Sequence, residues 1–272
     1  MMDAAFKFNF KFKLHKTSIS IGLGDEDYER LSVAYGVTLA DVMAEVTSAK
    51  ASNMREAGLL LKKYPDASEM LRGKRIAFLG DSITSDWQSY MNVMRAAFEK
   101  DKDIEILDAA VSGFKTIDLM TNFVPLVTDF KPDIVHIMIG TNDMKRTTDA
   151  AAAILIPPEE YRRELCYLVD RLKNDGARIV LSTLPPFDPD KIYASFNAVN
   201  VQYVEADRTA YNGVVREVAA EYDCILNEME DVYKKHESAQ ITEADGLHLN
   251  LDGQRMLACG VLESLMDAAG SI

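Results

Sequence analysis

From Arg75 to the C-terminus the chain alternates short apolar runs with amphipathic stretches of helical spacing, and few folds satisfy that rhythm. The apolar runs are Arg75–Leu79, Ile104–Leu107, Ile134–Ile139, Arg178–Thr183 and Cys224–Leu226. Between and after them lie Trp87–Glu99, Thr116–Val127, Glu159–Lys173, Thr209–Tyr222 and Asp252–Asp267, each with an apolar stripe. A strand buried on both faces reads as a near-continuous apolar run, and the helices that cover it carry one apolar side. The alternation therefore predicts an α/β protein, a three-layer α/β/α sandwich around a five-stranded parallel sheet. There is no internal repeat and no low-complexity tract.

The first 72 residues follow another pattern. They hold 10 basic and 10 acidic side chains, so the net charge of −13 belongs wholly to the remaining 200 residues. A boundary near Gly73 divides an N-terminal extension, 1–72, from a main domain, 73–272. Phe6, Phe8, Phe10, Phe12 and Leu14 alternate with Lys7, Asn9, Lys11, Lys13 and His15, a period of two that predicts a strand with one apolar and one basic face. Ser18 to Gly22 reads as a second strand. A helix is expected to start at Thr38, with Asp41 completing the cap, and to end before Pro65. The apolar strand face and the helix stripe need a cover. The main domain or a second copy of the chain supplies it, so homo-oligomerisation through residues 1–72 is one expectation, and no catalytic group is expected from this segment.

The acidic balance argues against a nucleic-acid or anionic-membrane surface, and no run of 18 apolar residues is present to span a bilayer. Three dispersed cysteines, Cys166, Cys224 and Cys259, and the absence of a signal-peptide apolar region place the expected compartment in the cytoplasm. No metal-ligand spacing and no phosphate-binding glycine loop occurs, so no metal or cofactor is expected.

In an open parallel sheet, ligands bind beyond the carboxyl ends of the strands. The segments there are Gly80-Asp81-Ser82-Ile83-Thr84, Ala110-Val111-Ser112-Gly113 and Gly140-Thr141-Asn142-Asp143. Asp245-Gly246-Leu247-His248 precedes the last helix. These residue types suit acyl transfer. A serine hydroxyl needs a base, which His248 can be, and Asp245 can fix the imidazole tautomer. The Ser82 N–H, the Gly113 N–H and the Asn142 amide can stabilise an oxyanion. Alone, each residue has a plainer role as a turn former or helix cap, but four such segments together leave that reading little room. Asp81 and Asp143 are expected to make structural hydrogen bonds to neighbouring loops. His136 lies inside a strand run and reads as a hydrogen-bonded core histidine, whereas His15 and His236 are expected to be exposed.

Over residues 73–270 these four blocks, in this order, resemble the SGNH (GDSL-like) hydrolases. The resemblance implies a flavodoxin-like SGNH fold with Ser82 as nucleophile, Gly113 and Asn142 completing the oxyanion hole, His248 as base and Asp245 as its partner. One position departs from the family pattern: Asp108 stands where many relatives carry Asn, which bears on support of the Gly113 loop. Residues before Gly73 match no part of the family's core.

The resemblance implies a serine esterase for a small soluble ester, in first place an acetyl esterase of acetylated carbohydrates. A short-chain lipid or thioester hydrolase is the second reading, and a non-catalytic sugar-binding or scaffolding protein on the same fold the third. Two segments, Met144–Pro158 and Pro185–Arg208, are expected to shape the pocket. The aromatic residues of the second either pack locally or stack on a sugar.

Overall fold

The computed structural model describes residues 4–17, 23–196, 200–236 and 238–271; the expected strand at Ser18 to Gly22 lies outside them. The five apolar runs form strands β1 (Arg75–Gly80), β2 (Glu105–Asp108), β3 (Ile134–Met138), β4 (Arg178–Ser182) and β5 (Ile225–Asn227). They make one parallel sheet in the order β2-β1-β3-β4-β5. Ile76 pairs with Ile106 on one side and with Ile134 on the other, so β1 is central and buried from Ile76 onward. The chain leaves β1 toward β2 and returns to place β3 on the opposite side. This reversal opens a crevice at the carboxyl ends of β1 and β3.

Amphipathic helices cover both faces. Helices Pro158–Asn174 and Glu205–Glu221 pack on one side of the sheet, with Thr116–Phe123 against the first of them. Leu251–Gly270 lies across β3, β4 and β5 on the other side, beside Tyr90–Ala97. The sandwich core is almost wholly aliphatic and aromatic, with Ile76, Phe78, Val135, Leu168, Val180, Leu257 and Leu262 inaccessible to solvent. Among its few polar members is His136, as expected from its place in β3. Its Nδ1 meets the Tyr90 hydroxyl at 3.1 Å and its Nε2 the Ser182 hydroxyl at 2.7 Å, while burial lowers its pKa to about 3.

The N-terminal extension corrects one expectation. Residues 6–11 are not a strand but belong to helix α1 (Ala4–Lys11), followed by a short 3₁₀ turn, Leu14–Thr17. At 100° per residue, phenylalanines two apart fall on opposite sides of a helix and those four apart on the same side. Period two therefore separates Phe6 and Phe10 from Phe8 and Phe12, and both sides have partners. Phe6 and Phe10 are buried with Leu31, Val42, Val46 and Trp87, and the Phe10 ring stacks on Trp87 at 5.6 Å. Phe8 and Phe12 face the loop that carries His248. A strict alternation identifies a strand only when one face meets the core, and here two do.

Helices α2 (Tyr28–Tyr35) and α3 (Leu39–Lys63) follow, and a short helical turn, Ala67–Met70, ends the extension. Thr38 caps α3 as its sequence predicts: its hydroxyl accepts from the Asp41 N–H, and the Asp41 carboxylate accepts from the Thr38 N–H. The helix packs on Tyr90–Ala97, and Arg255 from the last helix forms a bidentate pair with the buried Glu56. The same chain covers Phe6, Phe10, Val42, Val46, Ala57 and Leu60, while Leu39, Met43 and Met54 of the α3 stripe stay exposed. Among the described residues, no helix is long and apolar enough to cross a membrane.

Candidate active site

Strand β1 ends at Gly80, and Asp81 turns the chain into a single helical turn, Ser82–Ser85, by accepting the Ile83 N–H on its own carboxylate at 3.0 Å. Ser82 is therefore the first residue of a helix, where its N–H points away from the turn and the local dipole favours negative charge. Gln254 from the last helix fixes this turn from behind, donating to the Ile83 carbonyl at 3.0 Å and accepting the Tyr90 N–H at 2.9 Å.

His248 arrives from the other side of the crevice. Its loop turns at Gly246, whose φ of +76° is left-handed; a Cβ there would stand 2.7 Å from the Asp188 carbonyl oxygen, so only glycine fits. The turn brings His248 Nε2 to 2.8 Å from Ser82 Oγ and His248 Nδ1 to 2.6 Å from Asp245 Oδ2. The other Asp245 oxygen accepts the N–H groups of Leu247 at 2.9 Å and His248 at 3.0 Å. Burial pushes the Asp245 carboxyl up, but its bond to His248, that ring's charge and the two N–H groups outweigh it and hold the group below the usual carboxylate range. Asp245 therefore stays ionised.

Gly113 and Asn142 stand at the ends of β2 and β3. Gly113 has φ +81° and nothing within 4 Å of the place a Cβ would take, so its backbone is open to an approaching ligand. Asn142 is buried and donates one amide hydrogen to the Phe114 carbonyl at 3.0 Å, which ties the β3 loop to the β2 loop and leaves its second N–H for a ligand. Asp143 makes the structural contacts expected of it, accepting the N–H and hydroxyl of Thr116. That same hydroxyl also meets buried Glu164. Burial raises the pKa of both carboxyls, Asp143 to about 6.

The extension enters the site, which its sequence does not announce. The Phe12 ring lies on the His248 imidazole, and the Phe12 carbonyl accepts the Ser112 hydroxyl next to Gly113. Lys13 is fully buried, its ammonium 2.7 Å from Asp25 and 3.0 Å from Asp108, with Lys16 on the other Asp108 oxygen. Burial pulls the Lys13 ammonium down, but the charges of Asp108 and Asp25 more than compensate and raise its pKa. The one family departure thus has its reason: Asp108 is the counter-ion for lysines of the extension, and it still accepts the Ala110 N–H at 3.1 Å on the way to Gly113. His15 is the second correction. It is not exposed but bonded between Asp25 and Tyr35, because the buried carboxylate that serves Lys13 has a second oxygen to satisfy. His236 is exposed as expected.

The two segments expected to shape the pocket pack against each other. Arg146 and Gln202 exchange backbone hydrogen bonds, and the Arg146 guanidinium grips Asp207. Phe187 and Tyr203 are buried against one another, the local-packing alternative, whereas Phe196 lines an open groove beside α1. Among the described residues, no group of three or more His, Cys, Asp or Glu side chains could hold a metal ion.

A parallel sheet of this order with a Ser, His and Asp joined at its β1 edge defines a class, and comparison with known proteins names it. Residues 78–256 match the GDSL-like lipase/acylhydrolase family, and the chain belongs to that family of hydrolases. It is 26% identical over 170 residues to an uncharacterised lipoprotein of Bacillus subtilis, YqeF, a match that covers 56% of this chain and 68% of that one. The chain spans between 56% and 68% of the length of the curated relatives it matches. Its fold is shared with a lipase/acylhydrolase from Enterococcus faecalis, at TM-score 0.59 and 19% identity over 71% of this chain and 96% of that one. It is also shared with the acetyl xylan esterase AlAXEase, at TM-score 0.58 and 21% identity over 70% and 99%.

Proposed function

We propose that this chain is a serine esterase that removes acetyl groups from small carbohydrates. The observation that carries the hydrolase reading is the continuous path from Ser82 Oγ through His248 to Asp245. Ser82 Oγ attacks the ester carbonyl while His248 Nε2 takes its proton, and Asp245 stabilises the imidazolium. The oxyanion is held by the N–H groups of Ser82 and Gly113 and by the Asn142 amide, donors fixed before the substrate arrives. When the intermediate collapses, the carbon–oxygen bond to the alcohol breaks and His248 returns its proton to the departing oxygen. Water then repeats the sequence on the acyl-Ser82 ester and frees the acid.

Support for a short acyl group and a sugar comes from the likeness in fold to an acetyl xylan esterase. Acetate release from a panel of acetylated sugars, set against octanoyl and acyl-thioester substrates, tests the reading. Turnover of the acetyl esters at least tenfold faster is the expected result. A preference for octanoyl or thioester substrates would move the assignment to a lipid or thioester hydrolase. Sugar binding without any turnover would make the chain a binding protein.

A further inference from the structure

Lys11, the last residue of α1, joins two loops of the candidate site. Its ammonium donates to the Glu243 carboxylate and stands 3.6 Å from Asp86 Oδ2. Asp86 closes the helical turn that carries Ser82, its N–H donating to the Ser82 carbonyl at 3.0 Å. Glu243 opens the loop that carries His248, its N–H donating to the His248 carbonyl at 2.7 Å. One cation of the extension is therefore shared between the Ser82 turn and the His248 loop, whose Oγ and Nε2 stand 2.8 Å apart. The Lys11 carbonyl adds a second tie by accepting the Trp87 N–H at 3.0 Å, one residue beyond Asp86.

The two carboxylates need that cation. Asp86 is 1% exposed, and its Oδ2 has no hydrogen-bond partner. Burial raises its pKa and the charge of Glu243 pushes the same way, while Lys11 opposes both. Burial pulls the Lys11 ammonium down, but Asp86, Glu243 and Asp245 outweigh it and raise its pKa, so it stays charged. Like charges on two neighbouring loops repel, and a shared ammonium turns that repulsion into attraction. We propose that Lys11 is a positioning residue, a clamp that sets the distance between Ser82 Oγ and His248 Nε2. The inference rests on the esterase reading above. Lys11 neither gives nor takes a proton in the reaction. Its charge alone would act the other way, because a cation near Asp245 and His248 disfavours the imidazolium and would slow acylation. Clamp and charge thus differ in sign.

The test uses the full chain, with phenyl acetate turnover, fluorophosphonate labelling rates and urea unfolding measured side by side. Lys11→Met should lower kcat by about tenfold, slow labelling to match and change KM less than about twofold, the split expected of a misplaced base. Lys11→Arg, which keeps the charge, should retain most of the rate. Glu243→Gln gives the decisive readout, and its 34% exposed side chain keeps the test open if Lys11→Met fails to fold. With Lys11 present it weakens the clamp and should lower kcat about threefold; in Lys11→Met it removes the repulsion and should raise kcat about threefold. An ion pair that only stabilises the fold would not produce that reversal. Unfolding midpoints that fall while folded protein keeps its kcat would overturn the clamp. So would a kcat that rises in Lys11→Met, a Glu243→Gln chain with wild-type kcat, or Glu243→Gln effects of one sign in both backgrounds. A wild-type chain that neither turns over phenyl acetate nor takes up the fluorophosphonate would instead remove the esterase reading, and the clamp with it.

Discussion

The Phe12 ring lies on the imidazole of His248, with centroids 3.8 Å apart and planes 22° from parallel. An extension that matches no part of the family's core thus touches the proposed base directly. Phe12 is 3% exposed, and its neighbour Lys13 is anchored by two carboxylates, so the contact is built into the packing.

Phe12→Ala opens one side of the imidazole and leaves a cavity. Stability should fall by about 3–5 kcal/mol. The protein that remains folded should also lose kcat by about tenfold with little change in KM, because a misplaced base lowers the transition state's support more than substrate binding. Phe12→Leu should recover most of the stability but less of the kcat. Variants that lose stability alone, measured by urea unfolding beside turnover, would reduce Phe12 to a packing residue.

Lys13→Met strands the buried Asp108 and Asp25 carboxylates and should cost about 3–5 kcal/mol. Adding Asp108→Asn, the residue many relatives carry, should return about 1–2 kcal/mol of it, since the neutral amide can still accept the Ala110 N–H. Denaturant titration of both single variants and the double variant measures the coupling. Strict additivity would show that the extension and the Gly113 loop are energetically independent.

Much of the candidate site was legible because Ser82 and Asn142 follow strands and His248 precedes the last helix, places the apolar rhythm locates without any tertiary knowledge. Ser82, Asn142 and His248 fall where the alternation puts them, and His136 reveals itself by interrupting an apolar run. The extension was harder to read for a physical reason. Phe6 to Phe12 meet two surfaces, and a helix packed on two sides shows the same period as a strand packed on one. His15 looked exposed because its neighbours in sequence are lysines, while its partners, Asp25 and Tyr35, lie 10 and 20 residues away. Asp108 alone carried a signal that something basic was coming from elsewhere.

Asn142→Ala should lower kcat by about 10²–10³, roughly 3–4 kcal/mol, and leave KM nearly unchanged, as expected for an amide that acts on the oxyanion. Because the Asn142 amide also ties the β3 loop to Phe114, thermal unfolding should accompany the kinetics. A raised KM with intact kcat would mark Asn142 as a substrate contact only.

Asp143 should leave its mark on stability against pH. Burial raises its pKa from 3.8 to about 6, so its favourable share is complete below about pH 4 and is lost as pH climbs through 6. The shift corresponds to about 3 kcal/mol at most, opposed in the same acid range by Asp245 and Asp108, whose pKa values are lowered and whose contributions disappear on acidification. Asp143→Asn isolates the effect. The variant's stability relative to wild type should improve by about 2–3 kcal/mol between pH 4 and 7, and a flat difference would show that Asp143 does not take up a proton on burial.

The esterase reading depends on Ser82 being the nucleophile that His248 activates. Incubation of the full chain with a fluorophosphonate, followed by intact mass and peptide mapping, asks this directly. One adduct per chain on the peptide containing Ser82 is expected, with no adduct and no turnover in Ser82→Ala and slow labelling in His248→Ala. An adduct on any other serine, or esterase activity that survives in Ser82→Ala, would contradict it.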